Sequence, residues 1–286
     1  MRILVTGAHG QLAKCIKDAS IKHTSLACTF VSREQLDISN NDAVALYFRN
    51  HSFDYCINTA AYTNVEKAES DKENAYLINS EGVKNLAIQC EEHNVVLLHV
   101  STDYVFDGTQ TVPYKETDNT GPINVYGASK LAGEQHVSAL CQKHFIVRTS
   151  WLYSQYGHNF YTSMLSHFKK GTALKITTEQ TGTPTNAQDL AVVLLTIILS
   201  EVYQYGVYHY SNDGEATWYD FASEILKNAG QIPQANLGST NHYSTFARRP
   251  ERSILNTKKV KETFSIVISL WNERLKGFME DVYTQP

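Results

Sequence analysis

A doubly wound α/β fold, a parallel sheet covered by helices on both faces, is what this 286-residue chain predicts. Three observations carry that reading. Short β-branched runs alternate with longer helical patterns through the first half, as βαβ units do. The first run ends in a glycine-spaced turn that opens a helix. From Trp151 the alternation loosens, which marks a smaller lobe added to the sheet.

The strand-like runs are Ile3–Thr6, Cys28–Val31, Tyr55–Asn58, Val95–Val100 and Phe145–Arg148. Helical periodicity fills the intervals at Gln11–Ser20, Asn41–Asn50, Asn74–His93 and Val125–Gln142. Beyond Trp151, helices are expected at Asn159–Lys170, Asn186–Tyr203, Trp218–Ala229 and Leu270–Tyr283, with a strand at Val207–Tyr210. The polar, Gly- and Pro-containing stretch Gly230–Pro250 reads as loop. The expected organisation is a dinucleotide-binding sheet domain over 1–150 and a mainly ligand-binding α/β lobe over 151–286. Residues 182–204 are expected to return to the sheet domain. No Pro/Gly/Ser linker separates the two, so the lobes should interleave.

Composition narrows the function. A net charge of −4 offers no global attraction to nucleic acid or anionic lipid. The most apolar later stretch, Leu190–Leu199, is half the roughly 20 residues a membrane span needs. The five cysteines, Cys15, Cys28, Cys56, Cys90 and Cys141, form no C-x-x-C pair, which speaks against a disulfide framework or a zinc knuckle. A cytoplasmic protein without nucleic-acid or membrane partners is expected.

The turn Thr6-Gly7-Ala8-His9-Gly10-Gln11-Leu12-Ala13 joins the first strand to the first helix. Gly7 permits the tight turn, Gly10 lets backbone approach a diphosphate, and the helix N-terminus offers unpaired N–H groups to it. This is a Rossmann-type arrangement, although an ordinary βα turn also carries two nearby glycines. The ribose-binding acid usual at the end of the second strand is replaced by Ser32-Arg33. Arg33 suits a 2′-phosphate, so NADPH is expected over NADH; a solvated surface arginine is the plainer alternative. Asp37, in Leu36-Asp37-Ile38, falls near the adenine edge.

Tyr126 and Lys130 stand four apart on a predicted helix and share a face. An ammonium beside a phenol lowers the phenol's pKa and suits it to proton transfer. With 17 tyrosines in the chain, roughly one such match is expected by chance. Placement gives it weight. Ser101 and Thr102 end the preceding strand, and the carboxyl ends of parallel strands face the ligand crevice.

At these residues the chain resembles the extended short-chain dehydrogenase/reductase family, in its branch that reduces nucleotide-linked 4-keto sugars. The matching segments include Gly7-x-x-Gly10-Gln11-Leu12, Asn58-Thr59-Ala60-Ala61-Tyr62-Thr63 and Ser101-Thr102-Asp103-Tyr104-Val105-Phe106-Asp107-Gly108. Further matches are Tyr126-Gly127-x-x-Lys130, Arg148-Thr149-Ser150-Trp151, Gly182-x-Pro184-Thr185, Trp218 and Arg249-Pro250-x-x-Ser253. They span nearly the whole chain. The resemblance implies reduction of the C4 keto group of dTDP-4-dehydro-6-deoxy-L-mannose to dTDP-L-rhamnose by NADPH or NADH. It implies Tyr126 as proton donor, Lys130 holding the nicotinamide ribose and lowering the tyrosine pKa, and Thr102 orienting the carbonyl oxygen. Gly7, Gly10, Gln11, Leu12, Asp37, Ile38, Ala60, Ala61, Tyr62, Thr63, Asn79 and Ser101 would line the cofactor. Thr102, Asp103, Val105, Phe106, Tyr126, Trp151, Arg249 and Arg252 would face the sugar nucleotide; for the arginines, an ordinary solvated loop is the alternative.

Two positions depart from the family pattern. Ala13 replaces a third glycine of the turn. Cys15 stands where some members carry an acid that joins a magnesium site between subunits, and magnesium wants oxygen ligands. No metal site is therefore expected, and the chain should be a monomer or weak homodimer. Other enzyme readings are a reductase, epimerase or dehydratase of a different nucleotide sugar. Thr102 is followed by Asp103-Tyr104 rather than the dehydratase Asp-Glu pair. A non-catalytic, NADP-binding regulatory subunit is the reading from another class, and the intact Thr102/Tyr126/Lys130 set speaks against it.

Overall fold

A computed structural model describes residues 1–230, 237–241 and 245–284. Six strands form one parallel sheet in the order β2-β1-β3-β4-β5-β10. They are β1 (Arg2–Thr6), β2 (Ala27–Val31), β3 (Tyr55–Asn58), β4 (Val96–Thr102), β5 (His144–Thr149) and β10 (Gly206–His209). The central strands are apolar on both faces, as burial between two helical layers requires: Ile3, Leu4, Val5, Ile57, Leu97 and Leu98 are all fully buried. The helices between them are α1 (Gln11–Ser20), α2 (Asn41–Asn50), α3 (Val65–Ala68), α4 (Lys72–Tyr76), α5 (Gly82–Glu92) and α6 (Val125–Leu140). α1 packs with α8 (Ala187–Leu199) on one face. α2, α5 and α6 cover the other. The chain leaves β1 toward β2 and then crosses back to β3 on β1's other side, which opens a ligand crevice at the strands' carboxyl ends.

The rest of the chain leaves and re-enters this domain. Between β5 and β10 come β6 (Leu152–Tyr153), α7 (Phe160–Lys169), β7 (Leu174–Thr177), β8 (Thr181–Gly182), β9 (Thr185–Asn186) and α8. β11 (Ala216–Thr217), α9 (Trp218–Asn228), β12 (Leu237–Thr240), α10 (Lys258–Phe264) and α11 (Trp271–Thr284) follow. α7, α9 and α11 enclose their own core of Tyr153, Tyr161, Met164, Phe221, Ile225, Leu275 and Phe278. Val260 and Phe264 of α10 instead join the sheet-domain core.

Several elements differ from expectation. The helix expected at Asn74–His93 starts at Lys72 and carries a π turn at Leu77–Glu81. That turn presents Asn79, whose side chain bonds both the N–H and the carbonyl of Tyr62; π turns of this kind gather at functional sites. The helix expected to reach Tyr203 stops at Leu199, with Glu201 in a left-handed conformation (φ 54°). The stretch Gly230–Pro250, read as loop, falls partly outside the described residues (231–236 and 242–244). Its described part holds β12, paired in parallel with β7, a contact between segments some 60 residues apart. α10 had no expected counterpart, being too short for a clear periodic signal. No helix among the described residues is long and apolar enough to cross a membrane.

Candidate active site

The glycine turn lies where the sheet opens. Gly7 adopts φ 75°, and a Cβ there would stand 2.9 Å from the Ala60 backbone nitrogen, so this position requires glycine. Gly10 caps α1 without any side-chain hydrogen bond, and no acid occupies the first turn. The helix therefore presents free N–H groups and its positive end to the crevice. A cleft of about 270 Å³ on one side is lined by Gly7, Gly10, Ser32, Arg33, Asp37, Ile38 and Ala60. A larger cleft of about 600 Å³ shares Gly10, Thr59 and Ala61 with it and runs on toward the smaller lobe.

The larger cleft gathers Gln11, Leu12, Thr63, Ser101, Thr102, Asp103, Tyr126, Lys130, Trp151 and Arg249 from six separate stretches of chain. Ser101 and Thr102 end β4. The buried Ser101 hydroxyl, and that of Thr149 at the end of β5, have no hydrogen-bond partner among the described residues. Both belong to residues on the cleft wall, and such orphaned hydroxyls suit a polar ligand. Thr102 Oγ1 donates to Asp103 Oδ1 (3.1 Å) and accepts from the Tyr104 N–H (3.2 Å). Asp103 is buried, accepts from Ser253 Oγ at 2.5 Å, and is pushed up to about 7 by desolvation.

The start of α6 is fixed from three directions. Asn124 Oδ1 accepts from the Gly127 N–H (2.7 Å), Asn124 Nδ2 donates to the Arg248 carbonyl (2.8 Å), and the Val125 N–H donates to Glu69 (2.8 Å). Tyr126, the first turn's second residue, lies edge-on to Tyr104 at 5.9 Å. Its phenol is pushed up to about 12 by burial, an effect eased by a hydrogen bond with Thr102. This corrects the expectation from spacing, which had the lysine lowering the tyrosine. Lys130 is buried and donates to the Val100 carbonyl at 2.7 Å, against the strand. Desolvation brings Lys130 itself down to about 8, with Glu134 opposing.

Trp151 forms the far wall. It takes a left-handed backbone conformation (φ 43°) and stacks on Trp218 with centroids 3.6 Å apart and planes within 8°. Gly182 underlies it: a Cβ there would stand 2.5 Å from the indole. Arg249 lines the cleft and is held by Glu66 at 2.7 Å.

A family model, the RmlD substrate binding domain, matches residues 1–284. dTDP-4-dehydrorhamnose reductase of Aggregatibacter actinomycetemcomitans is 39% identical, with 96% of this chain and 97% of that one covered. The chain belongs to the dTDP-4-dehydrorhamnose reductase family. The crystal structure of a dTDP-4-dehydrorhamnose reductase from Clostridium acetobutylicum is 36% identical and superposes with a TM-score of 0.93 over 99% of this chain and 100% of that one. The enzyme of that name from Bacillus anthracis, solved in complex with NADP, is 35% identical with a TM-score of 0.93, covering 98% and 99%.

Within this dTDP-4-dehydrorhamnose reductase family member, not every expected residue meets at the cleft. Val105 and Phe106 are fully buried and pack with Tyr114 and Leu255, so their side chains face a core. Arg252 pairs with Glu215 at 2.5 Å and is not on the cleft wall. Tyr62 donates its hydroxyl to Asp71, and Asn79 is buried beneath the Tyr62 backbone, bonding Ser129 as well. Both brace the loop that follows β3. Cys15 is buried in the sheet-domain core, and burial pushes its thiol up to about 12. Thr59, Thr149, Asn159 and Phe160 line the cleft without having been singled out. Thr149 had a signal, since it ends a parallel strand; Phe160 had none, because its placement depends on the second lobe closing over the first.

Proposed function

We propose that this protein reduces the C4 keto group of dTDP-4-dehydro-6-deoxy-L-mannose to dTDP-L-rhamnose. The observation that carries the reading is one continuous crevice with an uncapped, glycine-opened helix at one end and Thr102, Tyr126 and Lys130 at the other. The fit to a nicotinamide dinucleotide rests on the backbone cradle at Gly7 and Gly10 and on the orphaned Ser101 hydroxyl. Gly10, Gln11 and Leu12 would hold its diphosphate, Ser32, Arg33, Asp37 and Ile38 its adenosine end, and Ala60–Thr63 the stretch between. Arg33 and the NADP bound to the Bacillus anthracis relative favour NADPH. When bound, NADPH supplies the hydride that reaches C4.

The chain's own residues then do three things. Thr102 orients the sugar carbonyl and hydrogen-bonds its oxygen as charge develops there. Tyr126 Oη gives its proton to that oxygen. Burial keeps this phenol protonated at neutral pH, ready to donate. Lys130 holds the cofactor ribose from the strand side and adds positive charge while it remains protonated. The Trp151–Trp218 stack gives the sugar an apolar wall, and Arg249 pairs with the diphosphate of the sugar nucleotide.

The test is NADPH oxidation with a panel of 4-keto nucleotide sugars, in the parent and in Tyr126→Phe. Activity confined to the dTDP-linked precursor of rhamnose, lost about 10²–10⁴-fold in Tyr126→Phe with NADPH binding intact, is the expected result. Undiminished turnover in Tyr126→Phe would refute the proton-donor role.

A further inference from the structure

Behind the cleft a chain of buried polar groups runs from the glycine turn to Lys130. Thr6 Oγ1 donates to Asn58 Oδ1 (2.7 Å), Asn58 Nδ2 meets His99 Nδ1 (3.1 Å), and His99 Nε2 meets Lys130 Nζ (3.4 Å). Asn58, His99 and Lys130 are almost wholly buried, so each donor and acceptor must be accounted for.

The orientation of Asn58 is fixed. Its Oδ1 also accepts from the Ala60 backbone N–H at 3.2 Å, a group that can only donate. The other end of the amide is therefore NH₂, and it donates to His99 Nδ1. A neutral imidazole whose Nδ1 accepts carries its proton on Nε2. Burial together with the neighbouring lysine holds His99 well below its ordinary range, so the ring is neutral. His99 thus turns an N–H toward Lys130. An ammonium has only donors and cannot answer it. A neutral amine can: its lone pair accepts from Nε2–H while one of its N–H groups keeps the bond to the Val100 carbonyl.

We infer that His99 is a positioning residue for Lys130: locked by Asn58 as its Nε2–H tautomer, it presents a donor to Nζ and favours the lysine's neutral amine. The inference deepens the role given to Lys130 above and rests on it. The other titratable groups on the packed elements are Glu134, one turn on along α6 and clasped by Arg148 of β5, and Tyr126 at the start of α6, with Asp103 after β4 on the same cleft wall. Burial brings Lys130 down to about 8 and Glu134 opposes it; the Nε2–H donor of His99, at 3.4 Å, acts in the same direction as burial.

Two NMR readouts test this on the cofactor-free protein, independently of turnover. Long-range ¹H–¹⁵N correlation shows which nitrogen of His99 carries the proton, and the Lys130 ¹³Cε resonance follows its charge with pH. The parent is expected to show Nε2–H and a Lys130 transition near pH 8. Asn58→Asp replaces the donor with an acceptor; His99 should switch to Nδ1–H and the Lys130 transition rise by about one pH unit or more. Asn58→Leu removes the donor without adding charge and should move the transition the same way by less. The Nδ1–H tautomer in the parent overturns the proposal, and does so even where neither variant folds. So does a Lys130 transition that stays put in both folded variants. If the transition moves but the alkaline limb of kcat/KM does not follow, the catalytic role of Lys130 fails while its coupling to His99 stands.

Discussion

Gly127→Ala should disable this protein far more than one methyl group suggests. Gly127 sits between Tyr126 and the rest of α6, and its Cα faces the turn that follows β4. A Cβ there would lie 2.1 Å from the Tyr104 carbonyl oxygen and 2.9 Å from its carbon. Both are backbone atoms, so no side-chain rotation relieves the clash. Restoring ordinary contact needs α6 and the Thr102–Tyr104 turn to part by more than about 1 Å, and a misplacement of about 1 Å already costs about 10²-fold in rate. Thr102 and Tyr126 stand on the two parts that separate. Glu69 and Asn124 pin the start of the helix, so the strain is not shed cheaply. Overpacking of this kind costs about 1–3 kcal/mol. For a chain of this size that is a melting temperature lower by roughly 2–10 °C. The assay is steady-state NADPH oxidation beside a thermal melt. A folded Gly127→Ala protein within about threefold of parental kcat would refute the claim that this contact sets the Thr102–Tyr126 geometry.

Three further outcomes follow from the same structure. Glu134 and Arg148 form a buried pair joined at 2.6–3.1 Å, so Glu134→Gln should cost about 3–5 kcal/mol in urea unfolding and move the Lys130 transition down; a loss under about 1 kcal/mol would mean that the site rearranges freely. Asp103 has a folded value of about 7 against an ordinary 3.8, so its burial favours the folded state least once it must ionise. Parental stability should therefore fall from pH 4 to 7 relative to Asp103→Asn, and parallel stability–pH curves would contradict the shift. Arg33, ion-paired with Asp37 at 3.1 Å beside the smaller cleft, should raise KM for NADPH about tenfold when changed to Ser while leaving NADH alone; equal effects on both cofactors would remove it from 2′-phosphate recognition.

Much of this was legible in the chain itself. Periodicity placed all six parallel strands and the longer helices between them to within a residue or two, because each answers to local pattern: two-sided burial for a strand, one apolar face for a helix. The glycine turn and the hydroxyls ending β4 were legible for a similar reason, since βα order alone puts strand ends at the crevice. Distance in sequence hid the rest. β12 pairs with β7 and α10 fills the sheet-domain core only after the chain has crossed between lobes, and neither carries a local signal of its own. Val105 and Phe106 share a motif with Thr102 yet turn into a core, because the short helical turn at Asp103–Val105 redirects the backbone. The Tyr126–Lys130 spacing was right about proximity along the helix and wrong about charge. Only the packed structure shows Lys130 drawn to the Val100 carbonyl and His99, and the phenol raised by burial instead of lowered. Spacing fixes which residues share a face; burial and hydrogen-bond partners, contributed by strands far away in sequence, decide where their protons sit.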